Sequence, residues 1–386
     1  MPAIEKLTIV GDAEAMGRAH GTAFRSEIQA LTEERMRLCH DCFWSGERND
    51  STNPKALAEA CWEHQKRYDT QTTAELEGIA IAADVPARDL LVTGGFTDFV
   101  DALRSDAALS SPFQSPINDP GQCTAVLVAA GTSADGLPLL AQTWDMHPTA
   151  TPYIRVLDQR STDQPATVVF TVTGCPAMIG INEHGLGIGI NNMVTMDGRP
   201  GVMWTSVVRR MLRARNADEA LELLKHAPVA GAHHYLLIDA ESNGYSVERS
   251  PTRIAVRTLE STLAHTNHCL DSELVSIEPV RGDAPAHSTQ GRLRSAKRWL
   301  DTHREDCSRQ GLWRLLNQFD AKDPLGSICH GPFPDYDVET GGAVVISPRD
   351  RAMDAIWGQG RVHTKADQTE PETFTVLPNN PMPSVS

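Results

Sequence analysis

The chain has 386 residues, 40% hydrophobic and 22% charged, with a formal net charge of −15. It can therefore bury a large core, as one big domain or two closely joined ones. The acidity argues against nucleic acid or an anionic membrane as partner, since both call for a basic surface, and no apolar run approaches the length of a membrane span.

Met1-Pro2-Ala3-Ile4-Glu5-Lys6 lacks the basic start and apolar run of a signal peptide. Eight cysteines lie scattered along the chain rather than in the dense spacing of a disulfide scaffold. That usage fits free thiols in a reducing, cytoplasmic compartment. Apolar residues at helical spacing predict a helix over 13–38 and a second helical region over 54–82, with Pro54 placed at a first turn. Asp84-Val85-Pro86 ends it, and 87–100 is mixed. The two helical regions carry Cys39-x2-Cys42 and then Cys61-x2-His64, which on paper is Cys3His zinc spacing. Both pairs sit in helical sequence without the glycine-rich knuckles of zinc ribbons, so buried thiols are the favoured reading and no metal is assigned.

Residues 105–121 hold four serines and three prolines and show no periodicity, as an exposed loop does. The pattern changes at Cys123. Strands are predicted over 123–131, 138–144, 153–157, 166–173 and 178–191, with Asp135-Gly136 as a hairpin signal between the first two. A helix follows over 203–226, then strands over 233–239, 245–249, 254–259 and 263–266, a helix over 295–319, and a late hairpin of 342–346 with 353–357. Helices, strands, helices and strands in that order suggest two sheets with helical layers outside.

A cysteine at the junction of loop and sheet supports two kinds of nucleophile. A papain-like pair needs a histidine, and His147, His265 and His268 are available, though none has a recognisable local signature. Cleavage of the Gln122–Cys123 bond needs no histidine. It would give Cys123 its own α-amine, with a reference pKa of about 7.7–8.0, able to take the proton from Sγ. Such a site calls for a carboxylate to orient the amine, for which Asp145 is nearest in sequence. It also calls for amide donors to an oxyanion, for which Asn191 and Asn267 end strands, and for a buried cation, for which Arg292 follows Ser288-Thr289-Gln290-Gly291 at the opening of a helix. Each residue has an ordinary alternative as a turn residue, a cap or a surface cation.

Taken together, several segments carry a resemblance. They are Gly121-Gln122-Cys123-Thr124, Gln142-Thr143-Trp144-Asp145, Gly180-Ile181-Asn182-Glu183-His184-Gly185-Leu186-Gly187 running into Ile190-Asn191, and Thr266-Asn267-His268. In this order they resemble the motifs of the isopenicillin N acyltransferase-like cysteine peptidase family of N-terminal nucleophile hydrolases, which includes the β-alanyl-dopamine and carcinine hydrolases and has bile salt hydrolases as more distant relatives. Gly11-Asp12 to Gly17-x3-Gly21, Ser288-x3-Arg292 and Thr340-Gly341-Gly342-Ala343-Val344-Val345 are similar to further family segments. The resemblance implies an α+β fold, a four-layer αββα sandwich, made as a precursor that cuts itself before Cys123. Residues 1–122 would be a helical segment and small subunit, and 123–386 the sandwich and large subunit. It also implies a thioester on Cys123, an α-amine held by Asp145, an oxyanion held by Asn191 and Asn267, and support from Arg292. Two departures stand out. Gln122 occupies a position that is usually Gly, where a side chain crowds the N→S acyl shift, and Thr143 replaces a common Asn, which bears on the acyl pocket.

The expected activity is hydrolysis of an amide bond in a small N-acyl compound. Acyl transfer to an amine acceptor uses the same thioester and stays open. No cofactor is expected, because Gly185-x-Gly187-x-Gly189 lies within a strand and is no dinucleotide fingerprint. Partners are then the small-molecule substrate and the two subunits of one precursor, with a homo-oligomer compatible. A zinc-structured protein and an inactive ligand-binding module are the alternatives of another class.

Overall fold

The computed structural model describes residues 3–40, 53–108, 122–331, 338–358 and 370–379. Among the described residues the first element is strand β1 (Lys6–Gly11), which the sequence reading did not anticipate, and six helices follow: α1 (Ala13–Ala23), α2 (Arg25–His40), α3 (Pro54–Tyr68), α4 (Thr70–Ala83), α5 (Ala87–Gly94) and α6 (Phe96–Ala108). The first predicted helix breaks at Phe24, whose buried ring takes the Arg155 guanidinium over its face at 5.1 Å. The second breaks at Asp69. Its extended backbone lets the carboxylate cap α4 while each of its oxygens accepts from Arg213 at 2.8 Å.

Two strands, β2 (Ala125–Val128) and β3 (Leu139–Met146), begin one sheet. The chain then crosses to a second sheet and lays down β4 (Ile154–Ser161), β5 (Thr167–Val172), β6 (Ile179–Asn182) and β7 (Gly187–Asn192). The single run predicted over 178–191 is thus a hairpin, turned at Gly185 with φ 81°. Asn182 holds that turn by accepting the His184 and Leu186 N–H groups and donating to the carbonyls of Leu212 and Ala214. Helices α7 (Trp204–Met211) and α8 (Ala217–Lys225) precede β8 (His233–Ile238), β9 (Gly244–Arg249) and β10 (Ile254–Thr258). Strand β11 (Thr262–His265) returns to the first sheet, and α9 (Ser272–Val275), α10 (Asp283–Thr302) and α11 (Arg309–Leu316) lead to β12 (Glu339–Ser347), β13 (Ala352–Trp357) and β14 (Glu372–Thr375).

The sheets run β1-β4-β5-β6-β7-β8-β9-β10 and β11-β2-β3-β12-β13-β14. All neighbours are antiparallel except β1 on β4. Period-two alternation assigns the faces. On the six-stranded sheet, Val126, Val128, Leu139, Ala141, Ala343 and Val345 form one buried cluster with Trp299 and Leu300 of α10 and Leu312, Leu315 and Leu316 of α11. The alternate residues Leu127, Leu140, Val344 and Ile346 join the cluster that holds Val168, Phe170, Leu236 and Ile238 of the other sheet. Helices α1, α7 and α8 cover the far side of the eight-stranded sheet, α1 and α8 directly against its strands and α7 through α4 and α8. The order is therefore helix, sheet, sheet, helix, an αββα sandwich.

Residues 3–40 and 53–108 are part of this body. Helix α1 touches α4 backbone to backbone: a Cβ on Gly17 would lie 2.1 Å from the Glu75 carbonyl, and one on Gly21 2.5 Å from that of Ile79. This explains the Gly17-x3-Gly21 pattern. Glu75 on α4 accepts from Arg209 of α7 at 2.7 Å with both groups 1% exposed, and Asp98 on α6 meets His233 of β8 at 2.9 Å.

Between the sheets, a Cβ on Gly189 would sit 2.5 Å from Gln142 Oε1. That oxygen accepts the Ile190 N–H at 2.8 Å while Nε2 donates to the Ile190 carbonyl at 2.9 Å, so a side chain of one sheet satisfies the backbone of the other. Gly189→Ala must displace this bridge. It is expected to lower unfolding stability by about 1–3 kcal/mol in urea. A change under about 0.5 kcal/mol would show that the sheets part freely there.

Candidate active site

Cys123 stands two residues before β2 and is 2% exposed. Its Sγ accepts the Asp145 N–H at 3.5 Å, which places the sulfur at the end of β3. The neighbouring strands are locked here: Thr143 donates its N–H to the Thr124 carbonyl at 2.9 Å, and Thr124 donates its N–H to Thr143 Oγ1 at 3.1 Å. Thr143 Oγ1 in turn donates to Asp145 Oδ2 at 3.3 Å. Thr143, which replaces the common Asn, thus joins the strand of Cys123 to the Asp145 carboxylate.

Asp145 is fully buried, and His330 Nε2 lies 3.5 Å from its Oδ2. Its Oδ1 is buried with no hydrogen-bond partner among the described residues. A buried carboxylate oxygen with no donor is costly and points to a missing one. Opposite Asp145, strand β12 shifts register between Thr340 and Gly342, a bulge next to the carboxylate. Thr340 also holds His330 in place, donating its N–H to the His330 carbonyl at 2.8 Å and accepting the His330 N–H at 3.1 Å. His330 carried no signal in the sequence, because only the fold brings the segment after α11 beneath β3. The adjacent Cys329 thiol is pushed up, by burial first and by the Asp145 charge second.

Arg292 does not open a helix. It lies in the middle of α10, fully buried, with Ser288 one turn earlier accepting from its Nε at 3.1 Å. From there it donates to the Cys123 carbonyl at 2.6 Å, to Thr124 Oγ1 at 3.0 Å and to Asn267 Oδ1 at 2.9 Å. A desolvated guanidinium is tolerable with this many acceptors. Ser288 Oγ donates at 2.5 Å to Oε1 of Gln122, so the residue before Cys123 is held by the same helix.

The guanidinium also settles which end of the Asn267 amide is oxygen. Asn267 Nδ2 donates to the Asn192 carbonyl at 3.0 Å, and as an amide nitrogen it carries a second N–H. Its backbone N–H goes to Thr289 Oγ1 at 3.0 Å, fastening the end of β11 to α10. Asn191 ends the inner face of β7, on the same side as Gly187 and Gly189, with Nδ2 3.4 Å from His265 Nδ1. Cys123, Asp145, Asn267 and Arg292 are thus joined directly or through one residue. Asn191 connects through its neighbour Asn192.

The histidines considered as papain-like partners are engaged elsewhere. His147 Nδ1 caps the turn at Pro148, His265 pairs with Glu248, and His268 Nδ1 lies 2.9 Å from Thr289 Oγ1. Burial, with His265, Arg281 and Arg292 adding, lowers His268 to about 4, so it is neutral near pH 7. Cys39 and Cys61 are buried on α2 and α3, burial raises the Cys61 thiol to about 11, and Cys42 lies outside the described residues. Among the described residues, no group of three or more His, Cys, Asp or Glu is placed to hold a metal, and no helix is long and apolar enough to cross a membrane.

Residues 132–360 match the family model described as acyl-coenzyme A:6-aminopenicillanic acid acyl-transferase, a stretch that begins after Cys123. Among solved structures, penicillin V acylase from Agrobacterium tumefaciens is 13% identical, with 61% of this chain and 83% of that one covered and a TM-score of 0.40. A mutant of conjugated bile acid hydrolase from Clostridium perfringens is 12% identical, covering 66% and 96% with a TM-score of 0.39. A second variant of that hydrolase is 11% identical, covering 68% and 100%, also with a TM-score of 0.39. No curated protein matches the chain.

Proposed function

We propose, since the chain belongs to the acyl-coenzyme A:6-aminopenicillanic acid acyl-transferase family, that it is a self-processing amidohydrolase whose nucleophile is Cys123. The observation that carries this reading is the partnerless Oδ1 of buried Asp145, beside a backbone whose cleavage creates an ammonium group. In the uncut chain Cys123 Sγ attacks the Gln122 carbonyl, the peptide C–N bond breaks, and the α-amine takes up the thiol proton. Water then hydrolyses the resulting ester of sulfur, leaving a Gln122 carboxylate and a free Cys123 amine. That amine, near its reference range of about 7.7–8.0, accepts the Sγ proton in turnover.

The substrate is a small N-acyl amide. Sγ adds to its carbonyl, Asn267 and Asn191 donate to the oxyanion, the amine leaves with a proton, and water releases the acid from the thioester. Replacing water by a second amine gives acyl transfer, and the matched family's description names that outcome. Hydrolysis is preferred because water is always at hand. The pieces 1–122 and 123–386 stay together in this reading, tied by Glu75–Arg209 and Asp98–His233. A cytoplasmic location belongs to it as well, since the seven described cysteines are all free thiols.

Intact-mass spectrometry of freshly purified wild-type protein is expected to show two polypeptides, the larger beginning Cys-Thr-Ala-Val. Only uncut chain in material that turns over an N-acyl amide would end the self-processing reading. No turnover across β-alanyl, phenylacetyl and fatty-acyl amides by cut protein would instead favour an inactive binding module.

A further inference from the structure

The inner face of the eight-stranded sheet carries a polar row of which the chemistry above uses only Asn191. Asn191 on β7 pairs directly with His234 on β8, and His234 pairs directly with Glu248 on β9. Direct partners share a face, so all three look toward the other sheet. From there comes His265, the last residue of β11, which lies opposite Ala125 in the nucleophile strand. Its ring stacks on His234 with centroids 3.6 Å apart and planes within 10°. All four side chains are buried.

Their hydrogen bonds allow one proton arrangement. Glu248 Oε1 accepts the Leu270 N–H at 2.7 Å and Oε2 accepts the Asp271 N–H at 3.0 Å. These bonds use the carboxylate as an acceptor, so the His265 Nε2 that meets Oε1 at 2.9 Å carries a proton. His265 Nδ1 lies 2.6 Å from the Thr266 carbonyl, a distance two lone pairs would not tolerate, so it carries a proton as well. The ring is then an imidazolium, and its charge offsets that of the buried carboxylate. Burial first and the His265 charge next push His234 well below the ordinary histidine range, as a neutral stacking partner requires. Burial opposes the Glu248 charge, but the bonds from His265, Asp271 and Leu270 still hold its carboxyl below the usual value.

With a proton on Nδ1, His265 faces Asn191 as a donor. Asn191 Nδ2 is 3.4 Å from that nitrogen, while Asn191 Oδ1 is buried without a partner among the described residues. Donor against donor with an idle acceptor behind it is the pattern of an amide turned the wrong way, because oxygen and nitrogen are assigned rather than seen. Turned over, Oδ1 lies at the 3.4 Å position and takes a second, longer share of the proton that Nδ1 gives the Thr266 carbonyl, and the N–H2 group occupies the unpartnered position.

We propose that Glu248 and His265 are positioning residues: the carboxylate holds His265 doubly protonated, and the imidazolium fixes Asn191 with its N–H2 presented to the oxyanion. This rests on the proposed role of Cys123 only for what Asn191 does there. The groups facing His265 are Glu248 from β9, His234 from β8, Asn191 from β7 and His268 from its own loop, with Arg257 near His234 and Arg281 and Arg292 near His268.

The test uses wild-type protein with 15N-labelled histidine, the signals being assigned by their loss in His265→Gln. Both ring nitrogens of His265 are expected to show the protonated shift at pH 7.5, and a neutral tautomer there overturns the proposal. The isosteric variant Glu248→Gln adds a kinetic readout: kcat falls about tenfold or more with little change in KM, and the His265 ring signals move to those of a neutral tautomer. A kcat within about twofold of wild type, or His265 nitrogens unchanged in this variant, also overturns the proposal. Turnover surviving in Cys123→Ala would instead sink the nucleophile assignment and leave the nitrogen shifts to decide His265 independently.

Discussion

Cys123→Ala is expected to yield one full-length polypeptide on denaturing electrophoresis and no detectable turnover of any N-acyl amide. Both losses follow from one atom. In the proposed mechanism the sulfur forms the bond to Gln122 during processing and the bond to substrate afterwards, and alanine offers neither. The folded state hardly depends on that atom: the bond Sγ accepts from the Asp145 N–H is long, at 3.5 Å, and the clasp from Arg292 engages the Cys123 carbonyl rather than the side chain. Removing it costs on the order of 1 kcal/mol. A melting temperature within a few degrees of wild type, with processing and turnover both gone, separates lost chemistry from lost structure. Efficient cutting by the alanine variant would remove Cys123 from the mechanism.

Asn267→Ala is expected to lower kcat by about 10²–10³-fold, the usual cost of one oxyanion donor. Stability should fall too, because Arg292 Nη2 and the Asn192 carbonyl each lose a buried partner, worth about 1–3 kcal/mol apiece. Asn267→Asp divides these effects. Its carboxylate still accepts from Arg292 but has no N–H for the Asn192 carbonyl, so the variant should keep the Arg292 contact, lose about 1–3 kcal/mol at the Asn192 one, and remain as inactive as the alanine variant. Steady-state kinetics beside a urea titration of both variants provides the check. A loss under tenfold in either would take Asn267 out of the site.

Much of the fold was legible because its pattern is local. Strands from residue 123 onward show β-branched runs between glycine, proline and aspartate turns, and the helices over 204–225 show an apolar stripe, so the period of burial is written in hydrophobicity. Where burial is polar, that signal vanishes. Helix α10 begins at Asp283 rather than near 295 because its early inward face is Ser288, Thr289 and Arg292, which meet hydrogen-bond partners instead of apolar ones. Strand β1 escaped notice because it is an edge strand with only Ile9 fully buried, and nothing in six residues announces a parallel partner about 150 positions away.

Sequence alone determined the sandwich class, the change of pattern at Cys123 and the identities of Asp145, Asn191, Asn267 and Arg292 as residues to test, since these rest on local period and on motifs in order. Tertiary structure alone decided how they meet. It put Arg292 at the Cys123 carbonyl and at Asn267, set His330 beside Asp145, and built the Glu248–His265–Asn191 row between two sheets. The physical reason is that a hydrophobic stripe is encoded by neighbours a few residues apart, whereas a buried polar group is satisfied by a partner of the right geometry from anywhere in the chain, and spacing in sequence carries no record of which one.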